Sequence, residues 1–520
     1  MKIPAHPILS CAEARELEAK LFAGDEAKEW PAMQRAGRAV AEAVLRDFEE
    51  IGGFPADGRI LVLAGKGHNG GDALIAARVL LEKFPAATAE VIFVFGERAL
   101  RPLAARAWRE LAQSARERVS CGTGVSPGLA ENHGRDARAT SYALCLDGIF
   151  GFQFRAPAPA HVSDLLKRVN ELAVRLRAAV DLPSGLGETS RRGDAVFRAD
   201  FTYATGVVKD LVVNGQNGDC VGRLRYLDLG FFGDEENNAR LGILTPRVLA
   251  PLAGLRAPES DKRGYGHLFV VGGSRSYPGA VLMSVLAALR SGAGLVTAFV
   301  PESLVPAFAA RAPEAMWVGW PETPSGGLAL EGQHLLRERV ERATVLLMGP
   351  GLGREAETVA LVAGLVKDAA IPLVLDADAL QPEIVRAGAA PRVLTPHLGE
   401  LRRILAGDDF YQTAVAHQTV MVVKGRLTAV VQGGKHGFYS PFGGPVLARG
   451  GSGDLLAGLI GGLAAQTPRD LRLAACRGVV WHGRAADLLA RARGQVAVHT
   501  TELLDFLPAA LRECAACPAS

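Results

Sequence analysis

The sequence predicts an α/β protein of two α/β/α domains, each built on a mostly parallel sheet, and three observations carry that prediction. The chain has 520 residues, too many for one hydrophobic core. Short apolar runs alternate with stretches of helical period along most of its length, the pattern of strands crossed over by helices. Several of those runs end in glycine-rich loops, and sheets of this kind collect ligands at the carboxyl ends of their strands.

Composition limits the function before any motif is read. Hydrophobic residues make up 49% and charged residues 22%, the balance of an ordinary globular chain. A net charge of +3 and a pI near 8.5 give no basic field that argues for nucleic acid, and leave room for small anionic ligands. The seven cysteines are odd in number and scattered, which points away from a disulfide framework and towards a reducing cytoplasm. Cys514 and Cys517 have no second pair nearby and read as tail. The N-terminus lacks an apolar signal segment and no run is long enough to span a bilayer, so a cytoplasmic protein without a membrane partner is expected.

In chain order, Ser10 and Glu13 form a capping-box signature, and Met33, Ala36, Gly37, Val40, Val44 and Phe48 continue at helical spacing as a packing stripe. Residues 59–64 (RILVLA) read as a buried parallel strand feeding the loop 65–72 (GKGHNGGD) and a helix. This is the dinucleotide-binding arrangement of strand, glycine loop and helix, although the spacing is neither GxGxxG nor a Walker loop. Further strands are predicted at 90–95, 142–146, 178–180, 201–204 and 224–227. Asn69, Asp147 and the group 181–185 (DLPSG) stand at strand ends, where oxygen-bearing side chains can coordinate a hard cation. Taken singly, Asp147 and Asp181 are more often caps or turn formers than ligands. The polar stretch 122–141 reads as a surface insertion with a solvated His133, and the acidic turn 231–238 as a domain boundary.

The second half repeats the grammar. Apolar runs end at 272–274 (GGS), 349–353 (GPGLG), 376–380 (DADAL) and 395–400 (TPHLGE), which argues for one pocket along a sheet edge. There Asp376, Asp378 and His397 can meet a ligand, His397 being as a lone residue better explained structurally. The run 421–428 brings Lys424 and Thr428, residues suited to nucleotide phosphates. Finally 450–454 (GGSGD) precedes the apolar run 455–460. Its backbone N–H groups at a positive helix end form a nest for phosphate, with Asp454 beside it as a base: together, the needs of phosphoryl transfer to a hydroxyl.

Here resemblance becomes specific. GKGHNGGDALIAARVL, LDGIFGFQFR, AVDLPSG and FTYATGVVKD together resemble the epimerase domain of NAD(P)H-hydrate repair enzymes. The order DxDAL, TPHxGE, KGxxT, GGSGD resembles the ribokinase-like dehydratase domain of the same family, over nearly all of residues 244–507. The resemblance implies a Rossmann-like domain at 1–235, a linker at 236–243 and a ribokinase-like domain at 244–520. It implies that the first domain interconverts the R and S epimers of NADHX and NADPHX, which carry a hydroxyl at C6 of the nicotinamide ring. The second would then phosphorylate the S hydroxyl from a nucleotide and release phosphate. By the same resemblance His68, Asn69, Gly70, Gly71, Asp72, Gly151 and Asp181 contact the epimerase substrate, Asp181 as acid–base group, and Asn69, Asp147 and Ser184 hold potassium. Ala280, Gly351, Gly353, His397 and Asp454 would meet the dehydratase substrate, and Lys424, Gly425, Arg426, Leu427, Thr428 and Gly453 the nucleotide. Asp454 is the implied base, and the N–H groups of Gly451, Ser452, Gly453 and Asp454 the implied anion hole. The order, epimerase first, resembles the bacterial type, which implies ADP as co-substrate, giving AMP and phosphate, with Mg2+ on the nucleotide.

This chain departs from the family pattern at His68 in place of a first Asn, at 147–152 (DGIFGF), at Arg449 in place of Thr, at 443–446 (GGPV), and in a short helical segment between Glu400 and Lys424. The reading kept beside the first is a vitamin-type kinase fused to a non-catalytic epimerase-like binding domain. The joint retention of Asn69, Asp147, Asp181 and Ser184 weighs against it. Oligomeric state is left open, a homo-oligomer included.

Overall fold

The computed structural model describes residues 3–123, 141–233, 240–405, 418–433 and 437–515. The stretch 122–141 with His133, the acidic turn 231–238, the segment between Glu400 and Lys424, and Cys517 fall wholly or in part outside these ranges. The chain divides into two compact units, one of His6–Ala239 with Ala490–Gly494, the other of Met1–Ala5, Arg240–Leu489 and Gln495–Ala519.

In the first unit the strands are β1 (Ala5–Leu9), β2 (Arg59–Ala64), β3 (Thr88–Phe93), β4 (Val119–Thr123), β5 (Tyr142–Gly148), β6 (Val174–Val180), β7 (Phe201–Thr205), β8 (Val208–Lys209) and β9 (Arg223–Leu227). Seven of them form a parallel sheet in the order β4-β3-β2-β5-β6-β7-β9. The chain winds outward from β2 in one direction and from β5 in the other, so the order reverses between β2 and β5. A crevice opens there above the strand ends, and the loops after β2 and β5 line it. Burial on both faces explains the continuous apolar runs: β5 is buried at every position, and clusters around Val62 and Leu61 cover opposite faces. Strand β6 begins at Val174, earlier than the run predicted at 178, because Arg175 and Arg177 interrupt its apolar half.

In the second unit the strands are β10 (Leu241–Leu244), β11 (His267–Val271), β12 (Leu295–Pro301), β13 (Met316–Trp320), β14 (Val345–Met348), β15 (Leu373–Leu375), β16 (Arg392–Leu394), β17 (Val420–Val423), β18 (Thr428–Gln432) and β19 (Gly437–Ser440). They run in the order β13-β12-β11-β14-β15-β16-β17-β18-β19-β10, parallel from β13 to β17 and antiparallel at β17-β18-β19. The four predicted loop-ending runs are therefore the consecutive strands β11, β14, β15 and β16, and their loops share one edge. Helix Ser452–Gln466 crosses beneath them, buried from Leu455 to Ala465. It packs on helix Pro278–Arg290 so closely that a side chain at Gly458 would lie 2.1 Å from the Ser284 carbonyl, and one at Gly462 2.0 Å from the Ser291 hydroxyl. Those two glycines set the depth at which the helix begins, and hence where Asp454 stands.

Candidate active sites at the two strand-order reversals

In the first unit the β2 loop opens helix His68–Lys83 with glycine because the backbone is too crowded for anything larger. A Cβ at Gly70 would sit 2.3 Å from the Gly65 carbonyl, and one at Gly148 2.4 Å from the Asn69 carbonyl. This closeness seats Asn69 against the β5 and β6 loops. Its amide donates to the Phe150 carbonyl at 3.1 Å and the Val180 carbonyl at 2.9 Å, which leaves Oδ1 as an acceptor beside Gly151. Asp147, fully buried, accepts from the Ser184 N–H at 2.7 Å and the Ile149 N–H at 3.3 Å, and the Ser184 hydroxyl accepts from the Phe150 N–H at 2.9 Å. The three residues expected to hold a cation thus share one knot of loops. Burial pushes the Asp147 carboxyl up to about 6 against its hydrogen bonds to Ser184 and Ile149, and among the described residues no cationic side chain pairs with it. A small set of neutral and anionic oxygens around an uncompensated buried carboxylate fits a hard cation.

Beside this knot lies a cavity of about 600 Å³. Asp181 sits at its wall with φ at +68, a conformation that costs about 1–3 kcal/mol for a residue other than glycine and that tertiary contacts must enforce. Its Oδ1 accepts from Lys209 Nζ at 2.5 Å, with both side chains 3% exposed, and Lys209 also donates to the Val207 carbonyl at 3.1 Å. Asp72 and His68 both line this cavity, His68 half-exposed with Nε2 3.4 Å from the Glu29 carboxylate. Lys66, Arg101 and Arg155 supply positive charge, and the Phe150 and Phe154 rings stack at 4.4 Å between centroids. An aromatic wall with basic groups suits a flat, phosphate-bearing ligand. Lys209 went unmarked in the sequence although FTYATGVVKD contains it. A lysine closing an apolar strand run, in a chain with an acid that needs a buried partner, was the available signal.

In the second unit Gly451 takes φ +88 as the N-cap of helix Ser452–Gln466, and a side chain there would strike the Met283 thioether at 2.4 Å. The N–H groups of Ser452, Gly453 and Asp454 stand in the first turn, where no intrahelical acceptor precedes them. The Ser452 hydroxyl is committed to the Leu447 carbonyl at 2.7 Å and its N–H donates to the Arg449 carbonyl at 3.4 Å, so Gly453 and Asp454 are the residues that offer their backbone to an anion. Lys424 Nζ donates to Asp376 Oδ1 at 2.9 Å and lies 3.1 Å from where a Gly453 Cβ would be. The Thr395 hydroxyl donates to the same Asp376 oxygen at 2.6 Å. Burial disfavours the charge on Lys424, and Asp376 outweighs it to hold the ammonium above its ordinary range. The Asp454 carboxyl is pushed up to about 6, first by burial and then by Asp376, Asp378 and Glu400, against Lys424. A carboxyl poised there is ionised, and able to take a proton, at neutral pH.

The other expected residues take mixed roles. Gly351 and Gly353 adopt φ of +71 and +75, and a Cβ at Gly351 would come within 3.2 Å of Ala280. Asp378 accepts from the Gly353 N–H at 3.0 Å, so it shapes the loop that approaches the crevice. His397 caps helix Leu398–Ile404, its Nδ1 accepting from Gly399 N–H at 3.0 Å and Glu400 N–H at 3.3 Å. Residues 425–427 form the turn between β17 and β18, and Thr428 opens β18. Lys424, in contrast, turns inward to Asp376.

Arg449 is decided by tertiary contact. Its guanidinium donates to the carbonyls of Gln495 at 2.6 Å, Val496 at 2.5 Å and Val498 at 3.1 Å, so it straps a loop and does not face the anion nest. Arg449→Met is expected to lower the stability of this unit by about 2 kcal/mol, the scale of lost charge-assisted hydrogen bonds. The nucleotide KM should stay within about threefold, and a tenfold rise would show that this side chain contacts phosphate.

Two family models match the chain: one described as NAD(P)H-hydrate dehydratase over residues 268–509, the other as YjeF-related protein N-terminus over residues 31–211. Among curated proteins, the chain is 36% identical over 502 residues to the bifunctional NAD(P)H-hydrate repair enzyme Nnr of Moorella thermoacetica, covering 92% of each. It is 37% identical over 530 residues to the enzyme of the same name from Gloeobacter violaceus, covering 96% of this chain and 97% of that one. Among solved structures it is similar to an ADP/ATP-dependent NAD(P)H-hydrate dehydratase from Bacillus subtilis, at 28% identity and a TM-score of 0.45, over 52% of this chain and 98% of the other.

Proposed function

The chain belongs to the bifunctional NAD(P)H-hydrate repair enzymes, and from that premise we propose that it epimerises NADHX and NADPHX and dehydrates their S forms with ADP, giving AMP and phosphate. The epimerase activity is assigned to residues 1–235 and the dehydratase to 244–520, joined by 236–243, of which residues 241–243 belong to strand β10 of the second unit. The observation that carries the reading is a pair of acid–base centres of different kind, one above each sheet. In the first, Asp181 and Lys209 share a proton-handling contact inside an aromatic, basic-rimmed cavity. In the second, Asp454 stands in the first turn of a helix whose free N–H groups suit a transferring phosphoryl group, with Lys424 beside it. A vitamin-type kinase with an inert partner domain would not call for the first centre, and relatives that match along nearly the full chain are named bifunctional NAD(P)H-hydrate repair enzymes.

In the dehydratase, Asp454 takes the proton of the C6 hydroxyl as its oxygen attacks the terminal phosphorus of the nucleotide. The Gly453 and Asp454 amides and Lys424 stabilise the charge on the transferring group. Phosphate then leaves C6 as a proton leaves C5, and the ring double bond returns. Mg2+ bound with the nucleotide would supply charge neutralisation on the phosphates. Among the described residues no group of three His, Cys, Asp or Glu side chains is placed to hold a metal, so the ion is assigned to the nucleotide it accompanies. In the epimerase, Asn69, Asp147 and Ser184 would hold potassium, whose charge would compensate Asp147 and fix the loops that carry Asp181. Replacing potassium by choline should lower the melting temperature and slow epimerisation, and an Asp147→Asn chain should no longer respond to the exchange.

No described helix is long and apolar enough to cross a membrane, and the six described cysteines are all free, which supports assignment to the cytoplasm. The experiment is an assay on a mixture of R- and S-NADHX with ADP or ATP. Return of all the material to NADH, faster than spontaneous epimerisation allows, supports both activities. Return of the S fraction alone would sink the epimerase half.

A further inference from the structure

Helix Cys11–Phe22 brings a carboxyl into the epimerase cavity that no motif marked. Glu18 lines the same cavity as Asp72, Asp181 and Lys209, and it lies outside the segment 31–211 matched by the family model. Asp72, on helix His68–Lys83, is 6% exposed, and its Oδ1 is buried without a hydrogen-bond partner. A buried carboxyl oxygen in that state is stable when the group is protonated or when a ligand supplies its partner. Asp181 has its cation in Lys209, whereas no described side chain forms an ion pair with either Glu18 or Asp72. The cavity therefore separates its acids by environment, the arrangement that lets one group give a proton while another receives it.

We propose that Glu18 is a further catalytic residue of the epimerase, giving a proton to the C6 hydroxyl while Asp72, as a neutral acid, donates a hydrogen bond to the same ligand. The inference rests on the epimerase reading of this unit. The proton of Glu18 passes to the hydroxyl, and the C6–O bond breaks with its electron pair leaving in water. The ring nitrogen lone pair closes a C6–N1 iminium. Water adds to the other face, the C6–O bond re-forms, and the surplus proton returns to a cavity carboxylate. Nothing is oxidised or reduced and no co-reactant is consumed.

The electrostatics agree. Burial first, then Asp181 and Glu29, push the Glu18 carboxyl up to about 7 against Lys209. Burial, Asp181 and Glu18 raise Asp72 well above the carboxylate range against the same lysine. The charged groups acting on Glu18 are thus Lys209, Asp181 and Glu29, with neutral Asp72 in the same cavity, and Glu29 is itself 3.4 Å from His68. A donor of this kind is protonated below about pH 7, so the epimerisation rate should fall as pH rises through that value.

The test is E18Q in the full-length chain, with R-NADHX as substrate and kcat and KM followed across pH. Hydrogen exchange read in β2 and β5 of the same preparation reports on folding of this unit. Epimerisation kcat should fall by about 100-fold or more with KM within about threefold, and the pH limb should vanish. E18D should recover part of the rate with a displaced limb. Epimerisation by E18Q within about threefold of wild type, or a loss confined to KM with the limb intact, overturns the proposal. Should E18Q fail to fold, an unmoved limb in E18D overturns it equally. Failure of the wild-type chain to epimerise would strike the parent reading instead.

Discussion

Asp454→Asn is expected to abolish dehydration of S-NADHX while R and S forms still interconvert. The substitution keeps shape and burial but removes the base, and general-base contributions of about 10²- to 10⁴-fold set the size of the loss. Because the helix amides and Lys424 remain, nucleotide binding should persist, and the damage should fall on kcat. The wild-type rate should rise with pH through about 6, where Asp454 ionises, before any other group intervenes. Stability should move the opposite way. The folded carboxyl titrates above its ordinary value, so its contribution is fully present below the unfolded pKa and is lost as pH rises through about 6. At pH 7.5 the Asn variant carries no such cost and should melt at or above wild type. Thermal melts and phosphate release on one preparation decide the matter, and an active Asp454→Asn enzyme would refute the role given to this residue.

Lys209→Met should cost the first unit both its stability and its epimerase. Asp181 and Lys209 are 3% exposed, and removing one partner of a buried ion pair costs about 3–5 kcal/mol because the other charge is left unpaired. The stranded Asp181 side chain would also lose the ammonium that fixes its position in the cavity wall, which spoils it as a placed acceptor. Combining Lys209→Met with Asp181→Asn should regain much of the stability, since no charge is then buried alone, yet leave epimerisation lost. Urea unfolding with hydrogen exchange read in β6 and β7 separates the two effects. A double variant that epimerises would remove both residues from the chemistry.

Particular residues show how far the sequence reached. The strand after each apolar run and the glycine loop after it were legible because period and steric demand are local. The Gly451 turn could be placed from its residue types, and its left-handed φ follows from the same demand. Asn69, Asp147 and Ser184 were visible as strand-end oxygens, but their union depends on the hydrogen bonds of Phe150 and Val180 that knit three loops. The chain neighbours of Arg449 mark it as part of an anion nest, and its guanidinium belongs elsewhere because carbonyls 495, 496 and 498 lie within its reach.

The sequence by itself determined the two α/β/α units, the loops that end their strands, and the kinds of side chain those loops present. Tertiary structure decided the partnerships: Lys209 with Asp181 across 28 residues, Lys424 with Asp376 across 48, and Glu18 and Asp72 in one cavity. The reason is physical. Backbone period and glycine demand are set by neighbours along the chain, whereas the proton affinity of a carboxyl is set by burial and by charges that only folding brings near.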